Sequence, residues 1–142
     1  MGAYMKGMRM LAGMAFAAAC CAHAEVVVVV NPKNPVASMT AEQVAQIYTG
    51  ASRQFPDGAA AMPLDQADGP VREEFLAKVV GKTGQQVGAI WSRLTFSGKG
   101  ARPKPLASSA EVRHAVAADP SAIGFMERAA VDSSVKVVLG AK

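Results

Sequence analysis

A chain of 142 residues with 15 Lys and Arg against 11 Asp and Glu, a net charge of +4, has room for one modest domain and too small a cationic excess to call for nucleic acid. Both cysteines, Cys20 and Cys21, fall in an N-terminal segment expected to be removed, so the working protein would carry no disulfide, thiol nucleophile or thiolate metal ligand. It would then fold on its hydrophobic core alone.

Lys6 and Arg9 supply a positive flank, Met10 to Cys21 is an apolar run too short to cross a membrane, and Ala22-His23-Ala24 is an A-x-A cleavage signal. Residues 1–24 are therefore expected to be a signal peptide cleaved after Ala24, and residues 25–142 a single domain exported to the periplasm. The alternative is lipoprotein processing at Cys20, where Ala17-Ala18-Ala19 lacks the bulky aliphatic residue usual before a lipid-modified cysteine. No second long apolar run follows, so the mature chain is expected to have no transmembrane segment.

Val26 to Val30 is an unbroken β-branched run, the pattern of a strand buried on both faces in a parallel sheet covered by helices. Thr40 and Gln43 form a capping box, Met39 and Val44 a hydrophobic staple, and Val44, Ile47 and Tyr48 one apolar face, so a helix runs to Gly50. After a Pro-Asp-Gly turn, Ala59 to Leu64 reads as a short strand. Val71, Phe75, Leu76, Val79 and Val80 mark the inner face of a second helix, ended by Gly81. Thr83 and Gln86 cap a third, carrying Val87, Ile90, Trp91 and Leu94 at helical spacing. Residues 97–105, "SGKGARPKP", read as a long loop with Lys99, Arg102 and Lys104. Ser108 with Glu111 predicts another capping box, Val112 and Val116 face inward, and Asp119-Pro120 ends that helix. "AIGFME" and "VKVVLG" predict two more strands.

Strands alternating with helices predict an α/β domain with a small, mostly parallel sheet flanked by helices. Such sheets bind ligands at the carboxyl ends of strands, where loops feed helix starts. The stretch "LDQADGPVREEF", residues 64–75, has that form: a strand end, an Asp-Gly turn and a helix start that turns backbone N–H groups toward one spot.

The pieces "VVVVVNPKNPV", "MTAEQVAQIYTG", "ADG" before a helix, "IWSRLTFSGKG" and "DPSAIGFMERA", in this order, resemble the second lobe of phosphate ABC-transporter substrate-binding proteins. The resemblance implies a single lobe of a type 2 periplasmic-binding-protein fold, with phosphate or another small oxyanion as the ligand class. In the family the strand–helix junction is Arg-x-Asp-Gly-Ser-Gly-Thr, whose side chains and amides clasp phosphate. Here it is Gln66-Ala67-Asp68-Gly69-Pro70-Val71-Arg72, and only Asp68 and Gly69 carry over. Gln66 stands in place of the Arg, Pro70 removes a hydroxyl and an N–H, and Val71 and Arg72 replace the Gly and Thr. The family also closes a second lobe over its ligand, and residues 25–142 are expected to hold one lobe only.

Pro70 fits a first helical position, and Arg72, off the Val71–Phe75 stripe, is expected to be free to pair with an anion. The candidate ligand set is Asp68, Gly69 and Arg72, together with Ser97, Gly98 and Lys99 from the glycine-lysine loop. The plainer alternatives are a capped turn at 66–72 and a flexible connector at 97–100. Trp91 lies on an apolar stripe and reads as core. His114 has no partner at metal spacing, so neither a metal nor a cofactor is expected. Asp65, Asp68, Glu73 and Glu74 have local reasons at a turn and a helix start, and no hydroxyl has a His base in a recognisable motif. The expectation is a non-enzymatic, exported solute-binding module with weak or lost oxyanion binding. The alternative is a protein-interaction or sensory accessory domain of an envelope complex, with an envelope protein or a second copy of the chain as partner.

Overall fold

The computed structural model describes residues 25–140; the expected signal peptide and both cysteines lie outside the described residues. In chain order the elements are β1 (Val26–Val30), α1 (Ala41–Tyr48), β2 (Met62–Gln66), α2 (Pro70–Phe75, continuing as a π-turn over Leu76–Val80), α3 (Gly84–Phe96), β3 (Lys104–Leu106), α4 (Ser109–Ala118), β4 (Ala122–Glu127) and β5 (Lys136–Gly140), with a 3₁₀ turn at Arg128–Ala130.

The five strands form one sheet in the order β3-β2-β4-β1-β5. β2 is parallel to β3 and β4, but β1 is antiparallel to both its neighbours, β4 and β5. The sheet is therefore mixed, and the expected parallel character holds only for its β3-β2-β4 half. The reason lies in what the valine run encodes. Covering both faces requires apolar residues at every position, whatever the direction of the neighbours. Val26, Val28 and Val30 join the core against α1, α2 and α3, while Val27 and Val29 join a second core against α4. All five are fully buried, each contributing about 1.5–3 kcal/mol of burial. α4 lies close on the sheet because Gly124 carries no side chain; a Cβ there would sit 2.6 Å from Val112 Cγ1.

Local signals account for most helix boundaries. The capping boxes at Thr40–Gln43 and Thr83–Gln86 are both formed. The one expected at Ser108 is half made. Ser108 Oγ accepts from the Glu111 N–H, but the Glu111 carboxylate reaches one residue further back, to the Ala107 N–H at 3.2 Å. The Pro-Asp-Gly turn folds residues 59–61 back on 53–55, with Phe55 N–H to Ala59 O at 2.8 Å and Ala61 N–H to Arg53 O at 2.9 Å. β2 therefore starts at Met62 and extends to Gln66, later than the sequence suggests. β3 was hidden by Pro103 and Pro105, residues a sheet accepts only at an edge. Among the described residues it is an edge strand, paired only with β2, with Leu64 opposite Lys104 and Gln66 opposite Leu106.

Candidate functional site

β2 and β3 are parallel, so both deliver their carboxyl ends to the same rim of the sheet. The β2–α2 connection, residues 67–69, leaves from that rim, whereas Arg102 and Pro103 lead into β3 at its opposite, amino end, only a short strand away. A cavity of about 560 Å³ opens between them, lined by Asp65, Gln66, Asp68, Arg72, Arg102 and Lys104 among others. Among the described residues neither Arg102 nor Lys104 has a carboxylate partner in an ion pair.

Arg72 stands on the first turn of α2 and is not free. Its Nε donates to Asp65 Oδ1 at 2.9 Å, and its Nη1 lies 3.4 Å from Asp68 Oδ1. The Arg72 side chain is 12% exposed and that of Asp65 18%, whereas Asp68 is 97% exposed. The expectation of an unengaged Arg72 is thus corrected: it points off the apolar stripe, but into Asp65. The guanidinium also packs under the start of α3, where Gly84 makes room; a Cβ there would sit 3.1 Å from Nη1. On that side a second cavity, of about 540 Å³, is lined by Asp68, Arg72, Lys82, Thr83 and Gly84 among others. Arg72 therefore stands between two openings.

Gln66, at the position where the phosphate-binding pattern has Arg, is only 7% exposed. Its amide donates to Ser109 Oγ and to Phe125 O, each at 3.4 Å. These bonds span a place where β2 and β4 have parted, since their pairing stops at Pro63–Ile123. Tyr48 spans the same gap from α1, with its hydroxyl 2.7 Å from Leu64 O and 3.1 Å from Ile123 O. Its ring meets Phe75 edge-on, and Phe75 stacks on Phe125 at 4.0 Å between ring centres. Burial, reinforced by the nearby Asp65 charge, pushes the Tyr48 phenol well above the ordinary tyrosine range. Gln66 is thus a neutral amide bonded into the scaffold.

Asp68, Gly69 and Arg72 are brought together; Ser97, Gly98 and Lys99 are not brought to them. The latter close the C-terminus of α3, with Ser97 N–H on Arg93 O at 3.1 Å, Lys99 N–H on Leu94 O at 2.8 Å and Gly98 at φ 75°. α3 has 13 residues, so this corner lies about 20 Å along its axis from Gly84 and Arg72. It is also the negative end of the helix, with its N–H groups turned back on the helix. Trp91 is core, as its spacing suggests: it is buried and its indole N–H donates to Tyr48 O at 2.8 Å. The residues that spacing did not reveal as one group are Asp65, Arg102 and Lys104. Each was visible as a charge, but the loop that brings them together hides a strand.

No protein-family model and no curated protein matches the sequence. Solved structures do match. A protein from Clostridium perfringens designated a phosphate ABC transporter substrate-binding protein, with bound phosphate, superposes at a TM-score of 0.65 with 22% identity, over 80% of this chain and 44% of its own. An ABC-type phosphate transport receptor from Vibrio cholerae matches at 0.61 and 23% identity, over 80% and 45%. PstS from Borrelia burgdorferi matches at 0.61 and 12% identity, over 81% and 46%. The chain has the single-lobe fold of a periplasmic binding protein. It spans less than half the length of each of these structures. No described helix is long and apolar enough to cross a membrane.

Proposed function

We propose that this chain is an exported, non-enzymatic solute-binding module that takes phosphate or a similar small oxyanion weakly at the β2–α2 corner. The observation that carries the reading is the convergence of Arg72, Arg102 and Lys104 on one cavity that runs along the edge strand β3 and reaches the rim at the carboxyl end of β2. In an open α/β sheet that rim is where ligands sit. The shared fold with proteins named for phosphate transport supports the ligand class. Asp68 and Gly69 shape the turn, and Asp68 helps to align the Arg72 guanidinium. Arg102 and Lys104 supply the available charge. Weakness follows from what surrounds them. Gln66 has replaced the Arg of the phosphate clasp, Pro70 lacks an N–H, Arg72 is paired internally, and exposed charge contacts contribute only about 0–1 kcal/mol each.

Titration of the chain beginning at Glu25 with phosphate and sulfate at low salt tests this, with the oligomeric state measured in the same buffer. The expected dissociation constant is about a millimolar, near 4 kcal/mol, and weakens as salt is added. Binding that survives Arg102→Ala with Lys104→Ala unchanged would remove the proposed site. The second reading, a protein-interaction domain, is favoured by Phe96, which is 95% exposed at the end of α3. Loss of a partner's binding on Phe96→Ser, with anion titration silent, would support it.

A further inference from the structure

Arg72 lines the corner where an oxyanion would enter, yet its guanidinium is already engaged. Asp65 Oδ1 accepts from Arg72 Nε at 2.9 Å and from the Gln66 backbone N–H at 2.7 Å. A guanidinium and a main-chain amide converging on one carboxylate oxygen is a donor set by which proteins hold a bound anion. Here the anion is a side chain seven residues earlier on the same chain. The pair is mostly shielded from solvent, so little water competes for it. Arg72 also lines both openings at this corner, so an oxyanion entering either would meet a guanidinium already neutralised by a fixed carboxylate.

We propose that Asp65 is the specificity-determining residue of the corner, an internal competitor that occupies the anion-holding face of Arg72. The corner then takes a free oxyanion on Arg102 and Lys104 alone, and Arg72 joins them only when the Asp65 carboxylate is neutralised or displaced. This inference rests on the oxyanion reading above. Asp65→Asn is the informative change. It keeps an oxygen for the Gln66 N–H, removes the charge that holds the guanidinium, and removes a like charge that repels the ligand.

The test is calorimetric titration of wild type and Asp65→Asn with inorganic phosphate and sulfate at low salt, with thermal unfolding of each recorded. The expected result is at least about tenfold tighter phosphate binding by Asp65→Asn, the equivalent of ~1.4 kcal/mol, and loss of that gain in the Asp65→Asn, Arg72→Ala double variant. Unchanged affinity in a folded Asp65→Asn, with wild type still binding weakly, overturns the inference and leaves the oxyanion reading in place. Silence from both proteins at tens of millimolar phosphate overturns both. Should Asp65→Asn fail to fold, the Arg72 Nε–H resonance of the wild type decides. It is expected to stay fixed at phosphate concentrations that shift Lys104, and an Arg72 signal that moves with Lys104 overturns the proposal.

Discussion

At its start, helix α3 meets the Arg72 guanidinium across Gly84, beside two cavities and a cluster of opposite charges. At its end it turns on Gly98, and Gly100 just beyond packs on Trp91, which also meets Gly50, where a Cβ would collide with Leu94. Both ends carry glycine beside a lysine, Gly81-Lys82 and Gly98-Lys99, and both could be mistaken for an anion loop. The difference is direction. Free N–H groups and the positive end of the dipole lie at a helix start, and carbonyl groups at its end. A glycine-lysine pair acquires meaning only once its place on the helix is known. The apolar end is built for stability, and the charged end has electrostatics to use.

Substitutions at the two ends should therefore fail in different ways. The largest effect is expected at the apolar end. Trp91→Ala removes a buried ring and its bond to Tyr48 O, and should cost about 3–5 kcal/mol in denaturant unfolding, with no separate effect on anion affinity. Unchanged stability would move Trp91 from the core to a binding surface. Next is Arg72→Ala at the charged end. It strands the largely shielded Asp65 carboxylate and should cost about 1.5–3 kcal/mol. A variant as stable as wild type would show that the Asp65 pair is not held in solution.

Tyr48 lies between the two ends, and its hydroxyl bridges Leu64 O and Ile123 O. Tyr48→Phe should cost about 1–2 kcal/mol. The raised phenol pKa also fixes a pH window. Below about pH 10 the phenol is protonated in both states and the contribution is constant. Above it the unfolded chain loses a proton that the folded chain keeps, so stability falls by up to about 1.4 kcal/mol per pH unit. Tyr48→Phe should lose that part of the alkaline slope, and an identical slope in both proteins would place the phenol in water. The smallest effect belongs to Lys99→Ala, expected to change stability by no more than about 0.5 kcal/mol and to leave phosphate affinity unaltered. Loss of binding there would bring the α3 terminus back as a ligand site.

Much of the scaffold was legible because its signals are local. Valine at every position of β1 means burial on both faces, and Thr40 with Gln43, or Thr83 with Gln86, caps a helix within four residues. Strand direction was not legible, since two-sided burial looks the same beside parallel and antiparallel neighbours. β3 was missed because Pro103 and Pro105 resemble a loop in sequence and are tolerated at an edge. At the site, the Asp68-Gly69 turn and the cation at 72 could be read directly. The Asp65–Arg72 pair could not, because it joins a strand end to a helix across a turn and follows neither the strand nor the helix period. Nor does sequence separate a Gln66 facing ligand from one bonded to Ser109 and Phe125 across parted strands.

The central claim is that the charged corner between the carboxyl end of β2 and the edge strand β3, and not the glycine-lysine turn after α3, receives an oxyanion. Backbone amide chemical shifts followed through a phosphate titration at low salt test it most directly. The account predicts shifts at Ala67, Asp68, Gly69 and Lys104 that saturate near a millimolar and shrink with added salt, with Gly98 and Lys99 unmoved. Shifts confined to Ser97, Gly98 and Lys99, or no shift at 67–69 and 104 at tens of millimolar phosphate, would contradict it.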